Sequence, residues 1–220
     1  MTNDDNPTKQ RLIITFGKFD ALKYTSNLDV AKVWERVLRR ARLPLLYSKG
    51  FNTRPRIQLA TALPLGVTSE CELLDIALKE IVTIDDVLER IRAVSPQGLR
   101  VYHIREANIY SPALQTLVRS AEYRITFLDS VAITELQQRI QTLLSQATIM
   151  KSVERKNRKS AVDLRSLIYD LQLDAEGHLI AHLAAGEQGS IRTEDILHQL
   201  NLDGIPFTAH RLRLHIEDSK

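Results

Sequence analysis

The stretch from Ser26 to Gly66 decides the fold, and it reads SNLDVAKVWERVLRRARLPLLYSKGFNTRPRIQLATALPLG. Its pattern predicts an amphipathic helix that ends in an arginine cluster, followed by a tight polar loop rich in Lys, Arg, Gly and Pro. From Arg36 to Arg56 the chain has seven basic residues and no acidic one. Charge of a single sign predicts an anionic partner such as a phosphate backbone.

Helical periodicity divides this segment into an apolar face and a basic face. Ser26 is placed to cap the helix N-terminus, and Asp29 occupies the reciprocal acidic position of a capping box. Lys32, Arg36 and Arg40 stand four residues apart, so they form one exposed row in which like charges repel. A solvated helix end is one explanation, because cations suit the C-terminal dipole; an anionic ligand is the other. The predicted nucleic-acid-binding residues of the helix are Lys32, Arg36, Arg39 and Arg40.

The loop after the helix holds the densest group of candidate binding residues. Gly50 permits a positive φ or a close approach of a ligand to the backbone. Lysine and arginine supply phosphate donors, and two aromatic rings supply surfaces for base stacking. The alternative is a connection packed under the sheet with its aromatic rings in the core. The predicted binding residues of the loop are Tyr47, Ser48, Lys49, Phe51, Asn52, Arg54 and Arg56.

A second basic cluster follows a predicted strand in the C-terminal half. Its sequence, RKNRKS from Arg155 to Ser160, is typical of a turn between strands. Charged hairpin tips are often only solvated, which is the alternative to a second contact with phosphate. The candidate binding residues here are Arg155, Lys156, Arg158 and Lys159.

Residue composition argues against several classes of site. One cysteine among 220 residues excludes an internal disulfide and an iron–sulfur cluster held by this chain alone. The six histidines lack metal-ligand spacing, and no catalytic constellation or cofactor motif is evident. No apolar run reaches the roughly 20 residues that cross a membrane, and the polar N-terminus is unlike a signal peptide. We therefore expect a cytoplasmic protein, without a metal or cofactor, whose role is binding rather than catalysis.

The order of predicted elements indicates an α+β fold. Strands and helices alternate as βαββαβ in the first half, and a similar order with an added basic hairpin follows in the second. Two ferredoxin-like units packed side by side, each an antiparallel sheet with helices on one face, fit this order. The pattern includes strands at Arg56–Leu63 and Val162–Leu173. The expected bounds are a disordered segment at 1–10, unit one at 11–106, a connection at 107–120 and unit two at 121–220.

The run from Leu28 to Leu78, LDVAKVWERVLRRARLPLLYSKGFNTRPRIQLATALPLGVTSECELLDIAL, resembles an uncharacterised bacterial family, the radical-SAM-linked proteins. The shared series is Leu-Asp, Arg-Arg-Ala, Leu-Pro, Tyr-Ser-x-Gly-Phe-Asn and Pro-Arg, in this order. The match is close over residues 11–78 and looser at residues 121–124 and 162–165. Thr53 and Asn27 depart from the family pattern, which often has proline and histidine there.

The resemblance implies an RNA-related setting and a partner. Family members occur beside, or fused to, a radical SAM protein with a cobalamin-type domain, near genes for ribonucleases and ribosomal proteins. This context implies RNA modification or ribosome-related work. Because an iron–sulfur cluster needs three cysteines, the radical enzyme would be the partner rather than this chain.

These observations lead to one predicted function and two alternatives. The prediction is an RNA-binding accessory protein that acts with a radical SAM partner and grips phosphates through the basic helix and loop. One alternative is a metal-independent endoribonuclease on paired ferredoxin-like units, although no general base is evident. The other alternative is a protein-docking module that carries no nucleic acid.

Overall fold

The computed structural model describes residues 8–155, 158–186 and 189–217, and only the backbone of residues 153–155 and 158–160. These residues form two compact units, unit 1 (residues 8–118 with Glu217) and unit 2 (residues 119–216). The fold is mixed α+β, as predicted, and its registered strand pairs are antiparallel. Within the described ranges, no helix has the length and apolar character that a membrane crossing requires.

Unit 1 alternates strands and helices. Its elements are β1 (Gln10–Lys18), α1 (Asn27–Arg40), β2 (Ile57–Leu59), β3 (Thr68–Leu78), α2 (Ile84–Val94), β4 (Leu99–Ala107) and α3 (Leu114–Leu117). In the sheet, β1 lies between β4 and β3, and the short strand β2 pairs with β3. The strand order is therefore β4-β1-β3-β2, with each neighbouring pair antiparallel.

Both long helices of unit 1 pack on one face of its sheet. Leu12, Ile14 and Phe16 alternate along β1 and point toward the helices, as period-two spacing dictates. Trp34 of α1 is fully buried, and its ring meets that of Phe16 edge to face with centroids 5.0 Å apart. Apolar residues of α2 and β3 complete the same core. Alternation places Arg11 and Thr15 on the opposite face, together with Asp75 of β3, which pairs with Ile13.

One strand of unit 1 differs from its predicted bounds, and a left-handed residue follows the end of α1. The strand expected at Arg56–Leu63 is limited to β2, because the chain then turns through Pro64 and through Gly66, whose φ is 80°. Helix α1 ends at Arg40, before Pro44. Arg42 adopts a left-handed φ of 54°, a conformation that breaks the helical path two residues after the last turn.

Unit 2 follows a similar alternation with an inserted hairpin. Its elements are β5 (Val118–Phe127), α4 (Ile133–Ser145), β6 (Met150–Arg155), β7 (Arg158–Asp163), β8 (Ile168–Leu173), β9 (Leu179–Ala184), α5 (Thr193–Gln199) and β10 (Phe207–Ile216). The main strands follow the order β10-β5-β9-β8, while β6 and β7 form a separate two-stranded sheet. Buried residues of α4 and β5 include Leu136, Ile140 and Ile125.

The single strand predicted at Val162–Leu173 is wrong, since the chain forms two strands there in different sheets. The Asp163 carboxylate accepts hydrogen bonds from the amides of Ile149 and Arg165 at 2.8 and 2.9 Å. These bonds lower the pKa of Asp163, because they stabilise its charged form. The side chain therefore fixes a turn that ends β7 and separates it from β8.

Candidate nucleic-acid interface

Helix α1 presents its basic residues to solvent because its apolar residues fill the core of unit 1. Ser26 Oγ accepts a hydrogen bond from the amide of Asp29 at 3.2 Å, so the predicted N-cap is present. The Ser26 hydroxyl also donates to the Asp29 carboxylate at 2.7 Å. This bond, followed by the one from Lys32, lowers the pKa of Asp29. The predicted binding residues of the helix, Lys32, Arg36, Arg39 and Arg40, are all exposed.

Two of these four cations have carboxylate partners. The Lys32 Nζ atom lies 3.2 Å from an Asp29 oxygen, and a nitrogen of Arg39 lies 3.9 Å from Glu35. Exposed pairs of this kind contribute little to stability and are easily exchanged. Among the residues that the structure describes, Arg36 and Arg40 have no ion-pair partner. They lie one helical turn apart on the same side, where they can meet an anion together.

The loop after α1 is a hairpin closed by its own backbone. The amide of Ser48 donates to the carbonyl of Arg54, and the amide of Arg56 donates to the carbonyl of Leu46, each at 2.8 Å. The Ser48 hydroxyl accepts the Arg54 amide at 3.0 Å, so this predicted binding residue serves the turn. Gly50 has a φ of 120°, which only glycine adopts readily. The hairpin tip is therefore held in an exposed position.

The tip of the hairpin carries an aromatic ring in solvent. Phe51 is fully exposed, and Lys49, Asn52 and Arg54 beside it are exposed as well. The alternative that packed the aromatic rings of this loop in the core is therefore wrong for Phe51. Tyr47, at the base of the hairpin, is partly exposed, and the Arg39 guanidinium lies 5.9 Å from its ring centroid.

The contact between Arg39 and Tyr47 joins the end of α1 to the hairpin, so two predicted groups of binding residues share one region of unit 1. Arg56, on the outgoing arm of the hairpin, is exposed and lines a cleft. In the described part of the chain, Arg54 and Arg56 have no ion-pair partner either. We name Arg36, Arg40, Arg54 and Arg56, together with Phe51, the basic hairpin surface.

The cleft beside Arg56 has a volume of about 420 Å³. Its walls combine apolar side chains with polar ones, and Arg11 and Asp75 lie at its floor. The Arg11–Asp75 ion pair is 2.5 Å long, and its side chains are only 11% and 10% exposed. The sequence analysis did not identify this pair, because the two residues are 64 positions apart and only strand pairing brings them together.

All five N–H groups of Arg11 are used within the protein. Nε and one terminal nitrogen donate to the Asp75 carboxylate at 2.5–3.1 Å. The remaining hydrogens go to the carbonyls of Asn108, Ser111 and Pro112 at 3.4, 2.5 and 2.9 Å. Arg11 therefore ties the segment after β4 across the sheet, and this segment forms one wall of the cleft.

The second predicted basic cluster lies mostly outside the described residues. The side chains of Arg155, Lys156, Arg158 and Lys159 lie outside the described residues, so their binding role stays a prediction. On the preceding strand, Lys151 pairs with Asp195 at the start of α5.

Unit 2 carries a polar cluster that the sequence analysis missed. His182 Nε2 lies 2.8 Å from Ser120 Oγ, and His215 Nε2 lies 2.7 Å from a Glu122 oxygen. The two imidazole rings have centroids 4.8 Å apart. Burial, and then the neighbouring His215, lowers the pKa of His182, so its ring is neutral near pH 7. The spacing of Ser120 and Glu122 indicates that both lie on one face of a strand, but their histidine partners come from strands that are distant in sequence.

One turn of unit 2 brings together three groups of the kind that bind metal ions. Ligand atoms of Asp174, Glu176 and His178 lie within 4.8 Å of one another. Asp174 already accepts the amides of Glu176 and His178 at 3.1 and 2.8 Å, and its other oxygen lies 2.9 Å from the His178 ring. These bonds form the β8–β9 turn, so the geometry is accounted for without an ion.

The chain belongs to a bacterial family whose pattern matches residues 11–193 and is described as "Uncharacterized protein conserved in bacteria (DUF2344)". No curated protein shows significant similarity to the chain.

Solved structures whose backbones align with this chain share little sequence identity with it. A chain of a Cbf5–Nop10–Gar1 complex is 15% identical with a TM-score of 0.46, and the match covers 94% of this chain and 50% of that one. A chain of the archaeal box H/ACA sRNP Nop10–Cbf5 complex is 14% identical with a TM-score of 0.43, covering 96% and 50%. A chain described as "putative glycine cleavage system transcriptional repressor" is 12% identical with a TM-score of 0.30, and the match covers 94% of this chain and 98% of that one. The chain thus spans about half the length of the first two.

Proposed function

We propose that this protein is an RNA-binding accessory protein that holds single-stranded RNA on the basic hairpin surface. The observation that carries the proposal is the fully exposed ring of Phe51 at the tip of a hairpin flanked by exposed cations. Contact with another apolar surface is favourable for an aromatic ring that is otherwise exposed to water. A base stacked on such a ring contributes about 1–3 kcal/mol whatever its identity.

The arginines of the basic hairpin surface supply the contacts to phosphate. A guanidinium group donates two parallel hydrogen bonds to a phosphate and keeps its charge at any physiological pH. Arg36 and Arg40 project from the same side of α1, and Arg54 and Arg56 alternate with the buried Pro55 along the hairpin arm. Unpaired strands suit this arrangement, since their bases are accessible for stacking while their phosphates follow the cations.

The proposal gives a definite salt dependence. For single strands, the slope of log K against log salt is about −0.7 per phosphate neutralised. Four arginines predict a slope of about −2.8, so a change from 50 to 200 mM salt weakens binding about 50-fold. Removal of two arginines predicts a slope of about −1.4 and a loss of only about sevenfold over the same range.

The test measures fluorescence anisotropy of a labelled 20-nucleotide oligouridylate with three proteins. These are the wild type, Arg36→Gln/Arg40→Gln, and the charge-matched control Arg90→Gln/Arg213→Gln, whose arginines pair with Asp86 and Glu122 elsewhere. We expect the first double variant to bind more weakly with half the salt slope, and the control to match the wild type. Absence of binding by the wild type at 50 mM salt, or equal slopes for both variants, would refute the proposal.

The cellular setting that we propose is cytoplasmic RNA modification or ribosome-related metabolism beside a radical SAM protein. This part rests on the sequence resemblance over residues 11–78. Co-purification of tagged protein with and without nuclease treatment separates the possibilities. A radical SAM partner retained after nuclease treatment indicates direct contact, a partner lost with the RNA indicates tethering through RNA, and a partner absent in both conditions contradicts the setting.

We also propose that each unit is ferredoxin-like, with bounds near residues 11–106 and 121–220. Support comes from the element order βαββαβ in unit 1 and its strand order β4-β1-β3-β2. In unit 2, the order β10-β5-β9-β8 corresponds to the same arrangement once the β6–β7 hairpin is treated as an insertion.

A further inference from the structure

We infer that the cleft of unit 1 is a binding site for a single nucleotide, with the base inside and the phosphate at Arg56. The choice of a nucleotide rests on the proposed function, which this inference deepens. The cleft's volume, about 420 Å³, lies within the range of small-molecule sites in proteins. The described residues that line it all belong to unit 1.

The floor of the cleft favours a hydrogen-bond donor over an anion. Arg11 lines the cleft, but its five N–H groups are already bound to Asp75 and to three carbonyls. An anion would find no donor on it. The Asp75 carboxylate has about four acceptor positions, and its three contacts with Arg11 leave capacity for one more donor. The exocyclic amino or ring N–H groups of a nucleobase are donors of this kind.

The walls of the cleft suit a flat ring. Ala77 lies on the sheet side, on the same face as Asp75, and Ile109 and Ala113 lie on the segment that Arg11 ties down. Apolar faces on both sides with polar groups at the floor are typical of sites that bury an aromatic ligand. Gln58, also in the lining, adds an amide that can both donate to and accept from the edge of a base.

Arg56 connects the cleft with the basic hairpin surface. Its backbone is held on both sides, because its amide donates to Leu46 and its carbonyl accepts the amide of Ala77 at 3.0 Å. Its side chain is exposed at the cleft. A single-stranded RNA whose phosphates contact Arg54 and Arg56 would therefore place one of its bases at the cleft entrance.

The test fills the cleft without altering the ion pair. Ala113→Trp puts an indole into the cleft from an exposed position, and Ala93→Trp makes the same exchange at an exposed position of α2 outside it. Binding of uridine 5′-monophosphate and guanosine 5′-monophosphate is measured by calorimetry, and binding of the 20-nucleotide oligouridylate by anisotropy. Gln58→Ala serves as a second variant, expected to weaken mononucleotide binding about three- to tenfold through loss of one hydrogen bond.

The outcomes separate the cleft from the basic hairpin surface. We expect Ala113→Trp to weaken binding of at least one mononucleotide and of the oligouridylate by tenfold or more, with the salt slope unchanged, while Ala93→Trp matches the wild type. Mononucleotide binding without RNA binding would support the cleft and contradict the proposed function. RNA binding that Ala113→Trp leaves unchanged would overturn the cleft and leave the proposed function standing. If the wild type binds neither a mononucleotide nor the oligouridylate, both the cleft site and the proposed function are overturned.

Discussion

Replacement of Arg11 by methionine is expected to destabilise unit 1 more than any exposed substitution in it. The change removes the guanidinium group and keeps much of the aliphatic stem. The Asp75 carboxyl group then lacks its ion-pair partner in a place where its side chain is only 10% exposed. The carbonyls of Asn108, Ser111 and Pro112 also lose a donor. Asn108 and Pro112 are exposed, so water can replace the lost donor there, whereas Ser111 is half-buried.

The expected loss of stability comes mainly from the Asp75 carboxyl group that is left without its ion-pair partner. Removal of one partner of a buried ion pair typically costs about 3–5 kcal/mol, whereas replacement of both by apolar groups is often neutral or stabilising. We therefore expect Arg11→Met to lower the free energy of unfolding by about 3–5 kcal/mol and Arg11→Met/Asp75→Leu to recover most of that loss. Arg105→Met, an exposed exchange on the neighbouring strand, should stay within about 0.5 kcal/mol of the wild type.

Urea denaturation followed by tryptophan fluorescence measures these differences directly. Trp34 is the single tryptophan of the chain and is completely buried in the core of unit 1. A loss below about 1 kcal/mol for Arg11→Met would show that the ion pair is not a major source of stability. A double variant as unstable as the single one would instead assign the stability to the carbonyl contacts of Arg11.

Three further predictions concern the helix cap, the histidine cluster and the exposed ring. Ser26→Ala should lower the free energy of unfolding by about 1 kcal/mol in the same denaturation assay, because the Asp29 amide loses its acceptor. Because the pKa of His182 is lowered in the folded protein, the unfolded chain protonates this ring more readily. The contribution of the neutral His182 ring to stability is therefore complete above pH 6.5, the ordinary pKa of histidine, and declines as the pH falls below that value. His182→Gln, which keeps an amide near Ser120, should therefore flatten the dependence of stability on pH below 6.5; an unchanged curve would exclude this histidine as the cause. Phe51→Ala should weaken RNA binding by about 1–3 kcal/mol without altering the salt slope, whereas Tyr24→Ala, another exposed ring, should have no effect.

The sequence was sufficient for the features that depend on neighbouring residues. Helix α1 and its Ser26 cap follow from spacing within one or two turns, and the exposure of Arg36 and Arg40 follows from the same periodicity. The mixed α+β class also followed from the order of local patterns. Where a local pattern was ambiguous, the prediction failed, as at Val162–Leu173, where the side chain of Asp163 makes a turn inside an apparently continuous strand.

Only the tertiary structure decided which distant residues meet. The pairing of β1 with β3 brings Arg11 to Asp75, and the segment after β4, which Arg11 binds, lines the cleft beside them. Strand pairing in unit 2 likewise gathers Ser120, Glu122, His182 and His215. The physical reason is that side-chain periodicity tells which face of a strand a residue occupies, while register between strands depends on the summed packing of the whole core. The sequence therefore shows which residues of this protein are charged, but not that the buried Asp75 carboxylate lies beside Arg11.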